Sequence, residues 1–346
     1  MGAAALALCY VVGVKRTSEA ICIVLLVVFG VACQRATERS EDRAPEKQET
    51  APKVDAPAPG QGKVETTKSP AKPGDDKMDD VVIKTIPVAD HIYMLEGRGG
   101  NIGVSAGVDG VVLVDDQFAP LAPKILAAVK ALGKGEPKYV INTHWHGDHT
   151  GGNPELGPRA TIIAQENVRK RLSTPQELRG ETIEALPAAG LPVVTYEQKV
   201  SLHMNGEEIR LVHFPHGHTD GDSVVFFTGA NVVHMGDHFF NGRFPFVDTT
   251  SGGDPVQYAA NVKAVLDQMK DDTKVIPGHG PLATKADLVA FHQMLTETIG
   301  TVKAAKKAHK TLDQVKKAGF PEKFATWGSG FITADTWIET VYNSIK

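Results

Sequence analysis

The stretch Asn142-Thr143-His144-Trp145-His146-Gly147-Asp148-His149-Thr150-Gly151-Gly152 follows the β-branched run Tyr139-Val140-Ile141. From His144 to His149 it packs three imidazoles and one carboxylate into six consecutive positions. That density does not suit core filling, because buried polar groups are tolerated only when each one is paired. His144 and His146 alternate, so an extended turn brings both to one ion. Gly147 lets the backbone reverse, after which Asp148 and His149 point at a neighbouring ion. Neutral imidazole and carboxylate are ligands suited to Zn²⁺. The loop reads as a metal-binding element at the end of a strand.

Outward from this loop, short β-branched runs recur and end in polar or glycine-rich segments. Strands are expected over 81–83, 91–95, 139–141, 209–212, 223–227, 232–233 and 274–276, with a hairpin pair over 101–106 and 111–114 around Val108-Asp109-Gly110. Residues 120–132 read as a helix, with Ile125, Leu126, Val129 and Leu132 on one stripe and Gly133 as the stop. Asp254-Pro255 is a helix start, the acid as N-cap and the proline in the first turn, leading into 256–269. A second long helix is expected over 285–310. Strands alternating with helices point to one layered α/β domain over 81–346.

Composition narrows the chemistry. The chain has 346 residues, 37 Lys and Arg against 41 Asp and Glu, and a net charge of −4. No clustered basic face argues for nucleic acid. The three cysteines, Cys9, Cys22 and Cys33, all precede residue 34. The remainder can hold no disulfide, no Cys-ligated metal and no cysteine nucleophile.

His144-Trp145-His146-Gly147-Asp148-His149 resembles the H-x-H-x-D-H motif of the metallo-β-lactamase superfamily, and three further blocks match in the family's order. Pro215-His216-Gly217-His218-Thr219 is similar to the G-H-T block, Val232-Val233-His234-Met235-Gly236-Asp237 to the block that supplies a bridging acid, and Val275-Ile276-Pro277-Gly278-His279-Gly280 to the terminal G-H block. The resemblance covers most of 81–346. It implies an αββα sandwich with the metal site at one sheet edge. His144, His146 and His218 would hold one Zn²⁺, Asp148, His149 and His279 a second, and Asp237 would bridge. It further implies a bridging hydroxide that attacks a carbonyl, with Asp148 orienting it. An ester, lactone, thioester or amide-like substrate is expected, with β-lactams as a minor activity. Asp at position 237 looks more like the glyoxalase II and lactonase relatives than the best-known β-lactamases. Two other readings compete: a flavodiiron-type di-iron oxidoreductase, whose relatives carry Glu where His146 stands, and a non-catalytic envelope metal-binding module.

Other residues are weighed separately. His216 competes with His218 as ligand. His238 is expected to donate to a ligand carboxylate or face substrate. The aromatic loop 239–246 is read as a hydrophobic lid or the wall of an apolar pocket, with Asn241 or Arg243 facing an anionic group. Arg98-Gly99-Gly100-Asn101 suggests a hairpin tip overhanging the site, and Trp145 a packing residue. His91, His203, His213, His234, His292 and His309 read as surface or structural.

The N-terminus reads as an address. Residues 3–14 and 21–32 are apolar, separated by Lys15-Arg16-Thr17-Ser18-Glu19. The second run is short for a bilayer span, which needs roughly 20 residues. Phe29-Gly30-Val31-Ala32-Cys33 resembles a bacterial lipoprotein signal, so the expected partners are a small-molecule substrate and a membrane, through a lipid anchor at Cys33. The protein is then exported to the periplasmic side of the envelope. Residues 34–80 hold six prolines, nine basic and eleven acidic residues. Such a segment cannot offset its chain entropy by burial and is expected to act as a disordered tether.

Overall fold

The computed structural model describes residues 78–345. The expected signal over 1–33 and most of the tether over 34–80 lie outside the described residues. The folded body begins slightly earlier than composition suggests. Met78 packs with the first sheet's helix layer, and the Lys124 ammonium donates to the carbonyls of Met78 and Val81 at 3.2 and 2.8 Å.

Two sheets dominate. The first has seven strands, in spatial order Lys84–Ala89, Ile92–Glu96, Ile102–Gly107, Gly110–Val114, Pro137–Asn142, Thr161–Gln165 and Val194–Tyr196. The first four pair antiparallel and the last three join in parallel. The second has six, Lys199–Met204, Glu207–His213, Ser223–Phe227, Val232–His234, Lys274–Ile276 and Ala283–Thr284, of which only Val232–His234 and Lys274–Ile276 pair in parallel.

The layering follows from the two-residue period of side chains along a strand. In Gly110–Val114, Val112 and Val114 face the second sheet, while Val111 and Leu113 face helix Ala122–Ala131 through Ile125 and Val129. In Ser223–Phe227, Val225 and Phe227 face the first sheet, while Val224 and Phe226 face helices Pro255–Leu266, Lys285–Lys307 and Ala334–Ser344. Both strands are buried on both faces, at roughly 1.5–3 kcal/mol for each large apolar side chain. The result is the expected αββα sandwich.

The helix starts are written locally. Asp254 accepts from the amides of Val256 and Gln257 at 2.8 Å, with Pro255 in the first turn. A Thr284–Asp287 capping box opens the next long helix, which stops at Lys307 rather than 310. The strand expected at 81–83 starts instead at Lys84. Val81 and Ile83 pack towards the helix, and the Val81 carbonyl is taken by Lys124. Pro87 fits the resulting edge strand, where no amide is needed.

Candidate metal centre

Every proposed donor leaves the end of a strand at one edge of the sandwich. The first sheet supplies His144, His146, Asp148 and His149 after Pro137–Asn142. The second supplies His218, Asp237 and His279 after Glu207–His213, Val232–His234 and Lys274–Ile276. Two groups form. His144, His146, His218 and Asp237 are one, all buried; Asp148, His149 and His279 are the other; within each group the donor atoms lie inside 4.8 Å. All seven sequence-predicted donors therefore converge, and His216 does not: it is exposed, with Nδ1 on the Gly252 carbonyl at 3.0 Å.

The carboxylate of Asp237 stands between the groups. Its Oδ2 is 3.4 Å from His218 Nε2 and 3.8 Å from His144 Nε2, while Oδ1 is 3.1 Å from His149 Nε2 and 3.3 Å from His279 Nε2. Asp148 Oδ2 is 3.3 Å from His279 Nε2 and 3.7 Å from His149 Nε2.

The opposite ring nitrogens fix which atom faces inward. His149 Nδ1 donates to Asp115 Oδ2 at 2.7 Å, His218 Nδ1 to the Phe246 carbonyl at 2.8 Å, and His146 Nε2 to Asp248 Oδ2 at 3.1 Å. The Thr143 hydroxyl donates to Asp115 at 2.8 Å and so accepts from His144 Nδ1 at 3.0 Å. With these protons assigned, His146 Nδ1 and His218 Nε2 face each other as lone pairs only 2.8 Å apart. His144 Nε2 and Asp237 Oδ1 are buried with no hydrogen-bond partner. Converging lone pairs and orphaned buried acceptors are what a cation satisfies, and anchored imidazoles are how proteins present ligands to one. The donor set fits a pair of divalent ions.

Electrostatics separates the two groups. Burial, reinforced by the His149 charge, drives His144 well below its ordinary value, and burial outweighs Asp237 to bring His218 down to about 4. In the other group burial loses. Although burial favours its neutral form, His279 is pushed up to about 9 by Asp237 and Asp148, and His149 is likewise raised by Asp237, Asp148 and Asp115. Asp148 resists burial and is held at about 2 by His149 and His279.

Packing leaves no slack around the donors. A Cβ at Gly278 would stand 2.2 Å from Asp237 Oδ1, and one at Gly100 would stand 2.1 Å from the His149 ring. The tip at Arg98–Asn101 does reach over the site: the Gly100 amide donates to the Asp148 carbonyl at 3.0 Å, and Asn101 Nδ2 donates to the carbonyls of Pro277 and Gly280.

The sequence profile of the metallo-beta-lactamase superfamily matches residues 95–279, more than half of the chain. The chain belongs to this superfamily. An uncharacterized Aquifex aeolicus protein is 28% identical over 227 residues, 63% of this chain and 99% of that protein. A hydroxyacylglutathione hydrolase of Methylococcus capsulatus is 28% identical over 162 residues, 46% of this chain and 52% of that protein. Against fungal lactamase-like proteins the match spans about a third to a half of their length. A metallo-beta-lactamase from Pontibacter korlensis superposes with a TM-score of 0.52 at 16% identity, covering 62% of this chain and 99% of that one, a likeness of fold.

The superfamily site opens into a cavity of about 820 Å³ lined by Asp148, Asp237 and His279 with Phe240, Arg243 and Phe246. Of the three residues expected near substrate, Arg243 alone lines it. His238 is buried behind the site, stacked on Tyr258 at 5.4 Å with Nε2 beside the Asn261 amide at 3.2 Å, so it faces protein rather than substrate. Asn241 turns its amide to the Pro281 carbonyl at 3.0 Å. The aromatic loop does form an apolar wall: Phe240 stacks on His279 at 5.0 Å, and Phe246 lies 5.8 Å from His146.

Sequence reading missed the carboxylates that hold the ligands. Asp115 accepts from the Thr143 amide and hydroxyl and from His149, which ties one histidine of each group to a single side chain. Its φ of 66° places a non-glycine residue in the left-handed region. Asp116 accepts the Gly152 amide at 2.9 Å, and burial with Asp115 alongside raises its pKa well above the usual carboxylate range. The available signal was the pair of acids directly after the wholly apolar run Val111–Val114. Asp248, the partner of His146, had no local signal.

Proposed function

We propose that this protein is a dinuclear zinc hydrolase that cleaves an ester, lactone, thioester or amide-like carbonyl, β-lactams included. The observation that carries the reading is the placement of Asp237, one oxygen turned to each histidine group at the floor of an open cavity. His144, His146 and His218 would hold one ion, Asp148, His149 and His279 the other, and Asp237 both. Bound there, two divalent cations would polarise the scissile carbonyl and lower the pKa of an attacking water.

The chain's own residues supply position and proton handling. Asp148 is partly exposed to the cavity and ionised at neutral pH, so its carboxylate accepts a hydrogen bond from the incoming water and orients it. Asp115 and Asp248 keep His149 and His146 in the tautomer that leaves an inward lone pair. Phe240 and Phe246 form an apolar wall beside the donors, which strengthens each charged contact there. The Methylococcus relative, named as a hydroxyacylglutathione hydrolase, supports a carbonyl substrate.

The test is a panel of chromogenic ester, thioester, lactone and β-lactam substrates, with metal content measured alongside. Turnover of at least one, lost with chelator and restored by Zn²⁺, is expected. No turnover by fully loaded protein would overturn the reading in favour of a metal-binding module. Oxygen reduction by the iron-loaded chain would favour the di-iron alternative. We also propose export with a lipid anchor at Cys33, on sequence alone. Cys33→Ser should move the protein from the membrane to the soluble fraction, and retention in membranes would refute the anchor.

A further inference from the structure

Three guanidinium groups reach the cavity mouth from three separate stretches of chain. Arg98 sits at the tip after strand Ile92–Glu96, Arg179 at the turn between Gln176–Leu178 and Glu181–Ile183, and Arg243 in the loop that follows Asp237. Elsewhere Arg171 pairs with Asp220 and Arg159 with Glu136, while Arg169 donates to the Pro192 carbonyl and Arg210 lies over the Phe226 ring, each scattered singly over the fold. Among the described residues, Arg98, Arg179 and Arg243 have no carboxylate within ion-pair distance. A single acid, Glu181, shares their rim. Arg179 also occupies a two-residue turn at a φ of 56°, ahead of Gly180 at 81°, a position where glycine or asparagine would be relaxed.

The apolar surface between this rim and the metal ligands is continuous. Phe246 lies 5.8 Å from the His146 ring and 5.7 Å from that of His218. Phe331 follows at 6.3 Å from Phe246, and the Arg179 guanidinium sits 4.4 Å above it. Phe331 is 58% exposed, a large ring on the cavity lining beside the buried Ile332. A lone arginine over a surface ring is ordinary packing. Two further unpaired arginines at the same mouth, ending an aromatic track that starts at the metal ligands, are not.

We propose that the substrate is an amphipathic carbonyl compound with a carboxylate at the end remote from the scissile bond. Its apolar body lies along Phe246 and Phe331, and its carboxylate is held by Arg179 and Arg243, whose planar forks suit bidentate pairing. This rests on the hydrolase reading above and specifies what that site takes.

Titration calorimetry on the full-length, zinc-loaded protein separates the two readings. The probes are 6-phenylhexanoate and its neutral amide, 6-phenylhexanamide. The carboxylate should bind about tenfold more tightly, the scale of one partly exposed charged hydrogen-bond pair. The double variant Arg179→Gln/Arg243→Gln should reduce that preference to about twofold or less, and Arg179→Glu should shift it towards 6-phenylhexylamine. Equal binding of both probes to the parent chain would overturn the proposal. So would a carboxylate preference that survives both variants, since the metals themselves would then be holding the anion. A second measurement compares kcat/KM for the 4-nitrophenyl monoester of adipic acid with that for 4-nitrophenyl hexanoate. The anionic ester should be preferred, and in the double variant its loss should fall on KM. Failure to cleave either ester would count against the hydrolase, while the calorimetric preference judges the arginine rim by itself.

Discussion

The two halves of the metal centre use the same kinds of residue under opposite electrostatic regimes. The half built on His144, His146 and His218 is buried, and that burial keeps the His144 and His218 imidazoles neutral and ready to bind. The half built on Asp148, His149 and His279 opens to the cavity, with side-chain exposures of 29% for Asp148 and 20% for His279, and carboxylates hold protons on its histidines. Where burial keeps histidines neutral the cation site is preformed; where carboxylates hold protons on them, the site is occupied by protons until a metal displaces them. The buried half should therefore fill first, and the open half should meet the substrate.

The hardest blow to this contrast is His146→Ala. It removes a donor from the buried half and should cut turnover by about 10³-fold or more, the equivalent of several kcal/mol of transition-state stabilisation. Metal analysis should show the first equivalent weakened. If the second equivalent alone is lost, the assignment of halves is reversed. Asp237→Ala should leave one tightly held ion and abolish the two-metal state; unchanged stoichiometry would remove its bridging role. Replacing the orienting acids tests the halves separately. Asp248→Asn should weaken the buried half alone, and Asp115→Asn should weaken both, each by about 10–100-fold in metal affinity. Equal profiles for the two variants would erase the distinction.

The smallest effect is in pH. His279 of the metal-free protein keeps its proton up to about pH 9, so loading the open half must expel it. Proton release, read by calorimetry in buffers of different ionisation enthalpy, should accompany the second equivalent below pH 9, and affinity should fall as pH falls. Because this pKa is raised above 6.5, the same proton stabilises the metal-free fold fully below about pH 6.5, and that contribution is lost as pH rises through 9. A metal-free melting temperature that rose over this interval would contradict the sign.

How much of this was legible in the sequence depended on whether a residue belongs to a local pattern. The seven donors sit in four short blocks with glycines and a strand before each, and all seven came together. The sandwich followed from strands such as Val111–Val114 and Val224–Phe227 that are apolar at every position. Asp115 and Asp248 escaped because their partners lie 34 and 102 positions away, a distance that no spacing rule spans. His238 was misplaced because its neighbour Asp237 faces the ions, and a single peptide step turns the next side chain into the helical layer against Tyr258. Strand Lys199–Met204 alternates exposed and half-buried positions too weakly to stand out. Helix Ala334–Ser344 was not expected either, although Trp337, Ile338 and Val341 lie on one stripe.

The donors come from both sheets, four residues from one and three from the other, so ions bound there would be rivets across the seam of the sandwich. Pulling the sheets apart would then first have to strip the metals. Resistance to unfolding is then tied to free cation supply, gaining about 2.7 kcal/mol when that supply is a hundred times the dissociation constant. In a metal-starved setting the same chain would hold its shape less firmly and yield sooner to proteases, which makes its abundance, as well as its turnover, answer to the ion.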